Sequence, residues 1–210
     1  MKKLFVAALA GFGLLATGTT GLVPSDAEAR TAGERYWNVG TGSWEVYRPN
    51  RARGASNKSP IKKRIVSYKG SQRKGTIIVD TAEKRLYFVM GNGKAMKYGI
   101  GVGRDGFRWS GTHRISRKAE WPGWTPPARM IRRVKRETGK QLKSFYPGGP
   151  NNPLGARSLY IGSTIYRIHG TNQPWTIGQA MSSGCIRLAN DDVTDLYNRV
   201  GVGAKVIVRQ

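Results

Sequence analysis

Cysteine, histidine and acidic residues are scarce in this 210-residue chain. It contains one cysteine, two histidines and 12 acidic side chains, against 36 lysines and arginines. A single cysteine cannot form an internal disulfide, and one cysteine with two histidines does not supply the ligand set of a zinc site. We therefore expect no metal and no other cofactor. The basic excess gives a formal net charge of +24, which favours anionic partners.

Long hydrophobic runs are also missing. The apolar stretch from Leu4 to Ala16 is shorter than the roughly 20 residues that a transmembrane helix needs. Two lysines precede this stretch and an Ala-Glu-Ala sequence ends at Ala29, so residues 1–29 are predicted to be a secretory signal peptide. We predict an exported protein of the periplasm or cell envelope, without a transmembrane segment after signal removal. In such an oxidising compartment, a lone cysteine is a free thiol or an intermolecular partner.

Residues 30–74 are predicted to form a basic, flexible arm. The stretch from Arg51 to Lys74 contains nine basic residues and no acidic one, a composition typical of extended or disordered segments. The arm is either a plain tether or an electrostatic anchor to anionic envelope polymers. In the second interpretation, three aromatic residues form a small docking element. An exported protein meets cell-wall carboxylates and anionic lipid before nucleic acid, so we expect no nucleic-acid partner. The three aromatic residues are Trp37, Trp44 and Tyr47.

A folded domain is predicted over residues 75–210. Runs of β-branched and aromatic residues at 76–80 and 84–90, a Gly-Asn-Gly turn, and a further run to residue 100 indicate strands that include a β-hairpin. A short basic helix is predicted over 128–136. A second helix follows Asn190, which is expected to be its N-cap, and ends near Gly201. Further strands are predicted at 158–161, 164–168 and 205–209.

Residues 101–106 fit the G-x-G-x-x-G pattern of dinucleotide sites. That pattern binds a pyrophosphate only where its glycines open a helix after a strand. The following sequence, Phe-Arg-Trp-Ser-Gly, does not favour a helix start. We therefore interpret the segment as a mobile glycine loop and not as a nucleotide site.

Cys185 and His169 lie sixteen residues apart in a segment rich in glycine and serine. An imidazole can take the proton of a thiol, and the resulting thiolate–imidazolium pair is a strong nucleophile. The small residues Ser182, Ser183 and Gly184 suit a tight turn whose N–H groups can stabilise an oxyanion. Either residue taken alone is readily explained as structural, because a lone cysteine is often buried as a small hydrophobe. Together they predict an acyl-transfer site with Cys185 as nucleophile and His169 as base.

The same segment resembles the signature of the L,D-transpeptidase family, which has a YkuD-like catalytic domain. In that signature, a His-Gly pair, here His169-Gly170, is followed by a Ser/Thr-x-Gly-Cys core and then Arg or Asn. Residues 182–187, Ser-Ser-Gly-Cys-Ile-Arg, match the second half. Many family members carry a second histidine where this chain has Ser183. The resemblance covers about residues 75–209 and implies a mainly β fold, a β-sandwich with a short helix after Cys185.

The resemblance also implies roles for individual residues. Cys185 would attack a peptidoglycan stem tetrapeptide at the bond between its L-centre residue and the terminal D-Ala, and His169 would protonate the departing D-Ala. Gly170 would orient the imidazole through its backbone carbonyl. Ser183 and Gly184 would shape the turn, and Gly184 and Cys185 would offer oxyanion N–H groups. The candidate substrate-binding residues are Ser182, Arg187, Trp109 and Trp124.

Three questions stay open at this point. The acyl acceptor is an amine of a second stem, giving a 3-3 crosslink, a lysine of an envelope protein, or water, which would make the enzyme an L,D-carboxypeptidase. Arg187 either holds a substrate carboxylate or pins the turn. A non-enzymatic alternative is a cationic protein that binds cell wall or lipopolysaccharide, in which Cys185 is inert.

Overall fold

The fold comes from a computed structural model that describes residues 58–105 and 107–210, together with the backbone of two short strands nearer the N-terminus. Those strands, β1 (Arg35–Asn38) and β2 (Ser43–Val46), pair antiparallel with Trp37 opposite Trp44. The predicted signal peptide and most of the predicted arm before residue 58 lie outside the described residues.

Most of the described strands form a single curled sheet of nine. Its strand order is β12-β10-β9-β8-β13-β4-β5-β6-β3, and β7 pairs with β11 in a separate two-stranded ladder. The prediction of a mainly β fold with a short helix after Cys185 is confirmed. In chain order the elements are β3 (Arg64–Ser67), β4 (Ile77–Asp80), β5 (Arg85–Gly91), β6 (Lys94–Gly99), β7 (Val102–Gly103), β8 (Gly111–Glu120), α1 (Ala128–Thr138), β9 (Arg157–Ile161), β10 (Arg167–His169), a 3₁₀ turn (Pro174–Thr176), β11 (Ala180–Ser182), β12 (Ile186–Arg187), α2 (Asn190–Arg199) and β13 (Lys205–Arg209).

The hairpin of β5 and β6 follows directly from its turn residues. Asn92 and Gly93 have φ angles of 50° and 66°, and positive φ at two consecutive residues is what a tight hairpin turn of the primed type requires. Asparagine and glycine reach that region at low cost. The strands on either side then pair antiparallel, as the sequence predicts.

One hydrophobic core lies within the curl of the sheet and receives side chains from both ends of it. Ile77 and Val79 of β4 are fully buried, and so are Ile168 of β10 and Ile186 of β12. Helix α2 covers this core with its apolar face, because Val193 and Leu196 are fully buried and Tyr197 packs against the cluster. Val200, which follows the helix, is nearly fully buried. The helix therefore links the core to the strands that carry the candidate site.

The sheet begins earlier than the sequence predicted. Strand β3 lies within the predicted arm, yet it pairs with β6 as an edge strand. Its residues are mostly exposed, and the basic residues around it gave the stretch the composition of a disordered segment. Charged side chains are a common protection for sheet edges against unwanted pairing. A basic edge strand and a disordered basic arm are therefore hard to separate by composition.

Candidate active site

Two neighbouring parallel strands bring the candidate catalytic residues to one cleft. Strands β10 and β12 pair in parallel with Ile168 opposite Ile186 and His169 opposite Arg187. Cys185 directly precedes β12, so it lies beside the strand that His169 ends. Cys185 and His169 both line the same cleft.

His169 is buried and its ring is held by the backbone. Its Nδ1 lies 2.6 Å from the carbonyl oxygen of Gly170, and since a carbonyl can only accept, Nδ1 is the donor in this contact. Burial lowers the pKa of His169 to about 3, and the positive charge of Arg187 adds to the effect. Hydrogen bonding with the backbone of Gly170 and Leu154 opposes the shift in part. The imidazole is therefore neutral at pH 7.

Cys185 keeps its proton in the resting site. The residue is partly exposed, and desolvation by the surrounding cleft raises the pKa of its thiol, although Arg167 and Arg187 oppose this shift. The sequence predicted a thiolate–imidazolium pair, but removal from water favours the uncharged form of both groups. The nearby guanidinium groups add to this effect at the imidazole and oppose it at the thiol. The geometry thus presents a neutral thiol and a neutral imidazole.

The turn before Cys185 is closed by Ser182. Its hydroxyl donates to the carbonyl of Cys185 at 2.6 Å and accepts the N–H of Gly184 at 3.1 Å. Gly184 has a φ of 107°, and a Cβ there would lie 2.5 Å from the Tyr166 ring, so glycine is required on both counts. The Gly184 N–H is already bonded inside the turn, which differs from its predicted role as an oxyanion donor.

Neighbouring elements hold this turn from two sides. Arg133 of α1 donates from Nη2 to the hydroxyl of Ser183 at 3.1 Å. The indole N–H of Trp109 donates to the carbonyl of Gly184 at 2.7 Å, and the ring stacks on Tyr166 with centroids 4.4 Å apart. Trp109 thus supports the turn and is not among the described residues that line the cleft. The other predicted tryptophan, Trp124, does line it.

Arg187 has contacts that fit both of its predicted roles. Its backbone exchanges two hydrogen bonds of 2.9 Å with Gly101, and a Cβ at Gly101 would lie 3.2 Å from the guanidinium nitrogens. The residue is 95% buried, yet it lines the cleft.

The G-x-G segment that begins at Gly101 contains β7 and packs against the catalytic turn, since a Cβ at Gly103 would lie 3.2 Å from Gly184. The strand after this segment is β8, not the helix of a dinucleotide site.

Asn190 has a role that the sequence did not predict. The N-cap of α2 is Ala189, and no side chain caps the helix. Asn190 is instead the first helical residue, and its Oδ1 accepts the backbone N–H groups of Ala156 at 2.9 Å and Thr171 at 3.2 Å. It therefore joins the loop before β9 to the loop that follows His169 and Gly170. Its position at the start of a helix predicted a capping role. Its actual role was not predictable, because it depends on contacts between segments that are distant in the chain.

The charged side chains that line the cleft are all arginines. Four arginines line it, and no acidic residue appears among its described lining residues. Within the same part of the chain, no three or more histidine, cysteine or acidic side chains lie close enough to hold a metal ion, and no helix is long and apolar enough to span a membrane. The four arginines are Arg129, Arg133, Arg167 and Arg187.

A thiol and a buried, backbone-held imidazole in one cleft are typical of cysteine-dependent acyl-transfer enzymes. The particular family follows from comparison with known proteins. The model of the L,D-transpeptidase catalytic domain, YkuD, matches residues 74–208. The chain belongs to the YkuD family of L,D-transpeptidase catalytic domains.

Individual relatives agree with this assignment. The chain is 42% identical over 139 residues to the probable L,D-transpeptidase ErfK/SrfK of Escherichia coli, which covers 64% of this chain and 43% of that protein. It thus spans less than half the length of that curated relative. An L,D-transpeptidase structure from Mycobacterium smegmatis shares the fold at 18% identity and a TM-score of 0.51, covering 65% of this chain and 59% of that one.

One solved structure has a different name. A crystal structure from Brucella melitensis, named a probable carnitine operon oxidoreductase, is 42% identical and covers 72% of this chain and 96% of that one. Its TM-score is 0.48, and this likeness adds nothing to the argument about activity.

Proposed function

We propose that this protein is an exported peptidoglycan L,D-transpeptidase that uses Cys185 as its nucleophile. The observation that carries the proposal is the shared cleft of Cys185 and His169, in which Gly170 fixes the imidazole. Family membership supports a peptidoglycan substrate. The basic residues of the predicted arm, residues 30–74, would add an electrostatic attraction to anionic envelope polymers.

The first half of the reaction forms a thioester. Because both groups are neutral at rest, the thiol proton passes to His169 as the sulfur attacks the carbonyl of the L-centre residue. The C–N bond to the terminal D-Ala then breaks, and His169 returns the proton to the departing amine. The acyl group is left on Cys185 and D-Ala is free.

The second half releases the acyl group to an amine. The acceptor amine attacks the thioester, its proton passes to His169, and the C–S bond breaks to restore the thiol. An amine of a second stem gives a 3-3 crosslink, and a lysine of an envelope protein gives an attached protein. Water in place of the amine gives a tripeptide and makes the enzyme a carboxypeptidase.

The turn and the cleft walls have supporting roles in this proposal. Ser182 and Ser183 keep the turn in shape, and the backbone N–H of Cys185 is our candidate donor to the oxyanion. Trp124 forms part of the wall that the stem peptide contacts. Arg187 either binds a donor carboxylate or fixes the G-x-G segment against the turn.

The test is mass spectrometry of products after incubation with disaccharide tetrapeptide, comparing wild type with Cys185→Ala. Crosslinked dimers formed by wild type alone would support transpeptidation, and tripeptide alone would indicate a carboxypeptidase. Unchanged tetrapeptide in both samples, with a lysine-containing acceptor peptide also present, would contradict the proposed activity and favour a cationic wall-binding protein.

A further inference from the structure

The cleft holds more positive charge than the thiol and imidazole need. Four arginines line it, and no acidic residue is among its described lining residues. Such a surface of one sign raises the local concentration of anions. The stem peptide of the proposed reaction is itself an anion. The question is which guanidinium group contacts a carboxylate of that peptide.

Arg133 is the arginine whose surroundings best fit this role. Its side chain is 14% exposed and its Nη2 is bound to Ser183, two residues before Cys185. The guanidinium also lies 5.0 Å from the centre of the Phe107 ring. These contacts hold the planar group in a fixed orientation beside the catalytic turn. A fixed guanidinium loses little entropy when it binds a carboxylate.

The one ion pair that Arg133 forms among the described residues is long and partly exposed to solvent. Its nearest carboxylate oxygen, on Glu137, is 4.0 Å from Nε, and the Glu137 side chain is 42% exposed. The Nε atom is buried and makes no hydrogen bond there. Burial and the neighbouring Arg104 lower the pKa of Arg133, but a guanidinium group stays protonated in proteins. A desolvated cation with an unused N–H is suited to a carboxylate ligand.

The other three arginines of the cleft have different settings. Arg129 is exposed, so water screens its charge. Arg167 acts on the Cys185 thiol and lies 5.2 Å from the centre of the Tyr160 ring. Arg187 is buried against Gly101. Arg129 and Arg133 both come from α1, but of these two only Arg133 is shielded from water.

We propose that Arg133 forms a carboxylate-binding subsite for the acyl donor and so selects donors that carry a free carboxylate near the scissile bond. This inference rests on the proposed transpeptidase function. Two carboxylates of a tetrapeptide stem share the required chemistry. One belongs to the terminal D-Ala, and the other to the side chain of a diamino-diacid residue at the third position.

Binding to a non-reactive protein tests the subsite without turnover. In the Cys185→Ala background, calorimetry would compare the free-acid tetrapeptide with its C-terminal amide and its side-chain amide. Arg133→Gln is expected to weaken binding of the free acid by about 10- to 100-fold, the size typical of hydrogen bonds to charged groups. The same change is expected to have little effect on whichever amide lacks the recognised carboxylate. That amide identifies the carboxylate.

Three further variants separate substrate binding from other effects. Arg132→Gln removes a charge from an exposed neighbour on the same helix and is expected to change binding less than threefold. Arg133→Lys keeps the charge without the planar fork and is expected to show an intermediate loss. Ser183→Ala removes the hydrogen bond to Arg133 but leaves the guanidinium, so it should retain the discrimination between acid and amide.

Several outcomes would overturn the inference. An equal loss for the acid and both amides in Arg133→Gln, or the same loss in Arg132→Gln, would show structural or general electrostatic effects. Loss of acid–amide discrimination in Ser183→Ala would make Arg133 a positioning residue of the turn.

If wild type makes product and Arg133→Gln keeps the same acid-to-amide ratio of kcat/KM, the inference is wrong and the proposed function stands. If the Cys185→Ala protein binds no tetrapeptide while wild type forms no product, both are wrong. Thermal melts of each variant show whether a loss reflects unfolding.

Discussion

The centre of the curled sheet and the end that carries the cleft contain very different buried residues. The central strands β4, β5 and β13 bury aliphatic and aromatic side chains such as Ile77, Leu86 and Val206. Between β10 and β12, six buried side chains are polar. Those six are His169, Thr171, Gln173, Thr176, Ser182 and Arg187.

The two regions have different roles: the central strands stabilise the fold, and the buried polar groups of the cleft position the reactive residues. Burial of aliphatic side chains stabilises the folded state without specifying a reactive geometry. Buried polar groups cost free energy unless their hydrogen bonds are satisfied, and at the cleft those bonds place the Cys185 turn and the His169 ring. We therefore expect changes in the central strands and changes in the cleft to affect different measurements.

The largest expected effect is at the imidazole. His169→Asn should lower kcat/KM by about 10²- to 10⁴-fold, because removal of a general base typically costs that much. The second histidine, His113, provides a matched control. It lies on β8 and is not among the described cleft residues, so His113→Asn should change the rate less than threefold. Comparable losses in both variants would contradict the role of His169.

Changes in the central strands should affect stability and leave the catalytic rate nearly unchanged. Leu86→Ala is expected to lower the free energy of unfolding by about 2–5 kcal/mol, the usual range for a buried leucine. The kcat of the folded enzyme should stay within a factor of two. Ile65→Ala on β3, where the side chain is 54% exposed, should cost less than about 0.5 kcal/mol. Urea denaturation and steady-state kinetics together test this separation.

The buried imidazole should make stability depend on pH. Its pKa falls from 6.5 to about 3 on folding, so below pH 6.5 the unfolded chain takes up a proton that the folded chain refuses until about pH 3. Stability is therefore lost as pH falls through this window, by about 2–3 kcal/mol between pH 7.5 and pH 4.5. His169→Asn should lack this part of the slope.

A second group titrates in an overlapping range with the opposite sign. Burial raises the pKa of Asp192 to about 6, which favours the folded state as pH falls. Because Asp192 is present in both proteins, its contribution cancels when the unfolding free energies of wild type and His169→Asn are compared at each pH. A difference that does not change between pH 7.5 and pH 4.5 would contradict the assigned shift.

The smallest expected effect is at Asn190, which joins the loop before β9 to the loop that follows His169. Asn190→Ala leaves the N–H groups of Ala156 and Thr171 without their acceptor, so stability should fall by about 1–3 kcal/mol. The loop after His169 should also loosen, and kcat should fall several-fold. Asn190→Asp keeps the acceptor oxygen and should recover most of both losses. Equal losses in the two variants would show that this hydrogen bonding is unimportant.

The strands and helices followed closely from local sequence signals. The Asn92-Gly93 turn determined the hairpin, and the predicted helix between Asn190 and Gly201 corresponds to α2. The placement of Cys185 near His169 was predictable from their spacing, since both lie next to short strands that can pair. These features depend on residues close together in the chain.

Features that depend on distant residues were not predictable in this way. The basic composition around β3 concealed an edge strand, because pairing with β6 determines its structure. The role of Asn190 and the position of Trp109 behind the turn both require contacts across many residues. The lowered pKa of His169 was also not predicted, since it depends on burial and on the charges of Arg187 and Arg167.

The central claim is that Cys185 becomes a competent nucleophile in this cleft. Intact-mass spectrometry after incubation with a carbapenem tests it most directly, because a β-lactam ring opened by the thiol remains attached and adds the full mass of the drug. We expect one adduct on wild type that peptide mapping assigns to Cys185, slower labelling of His169→Asn, and no adduct on Cys185→Ala. An unmodified wild-type protein, or equal labelling of Cys185→Ala, would contradict it.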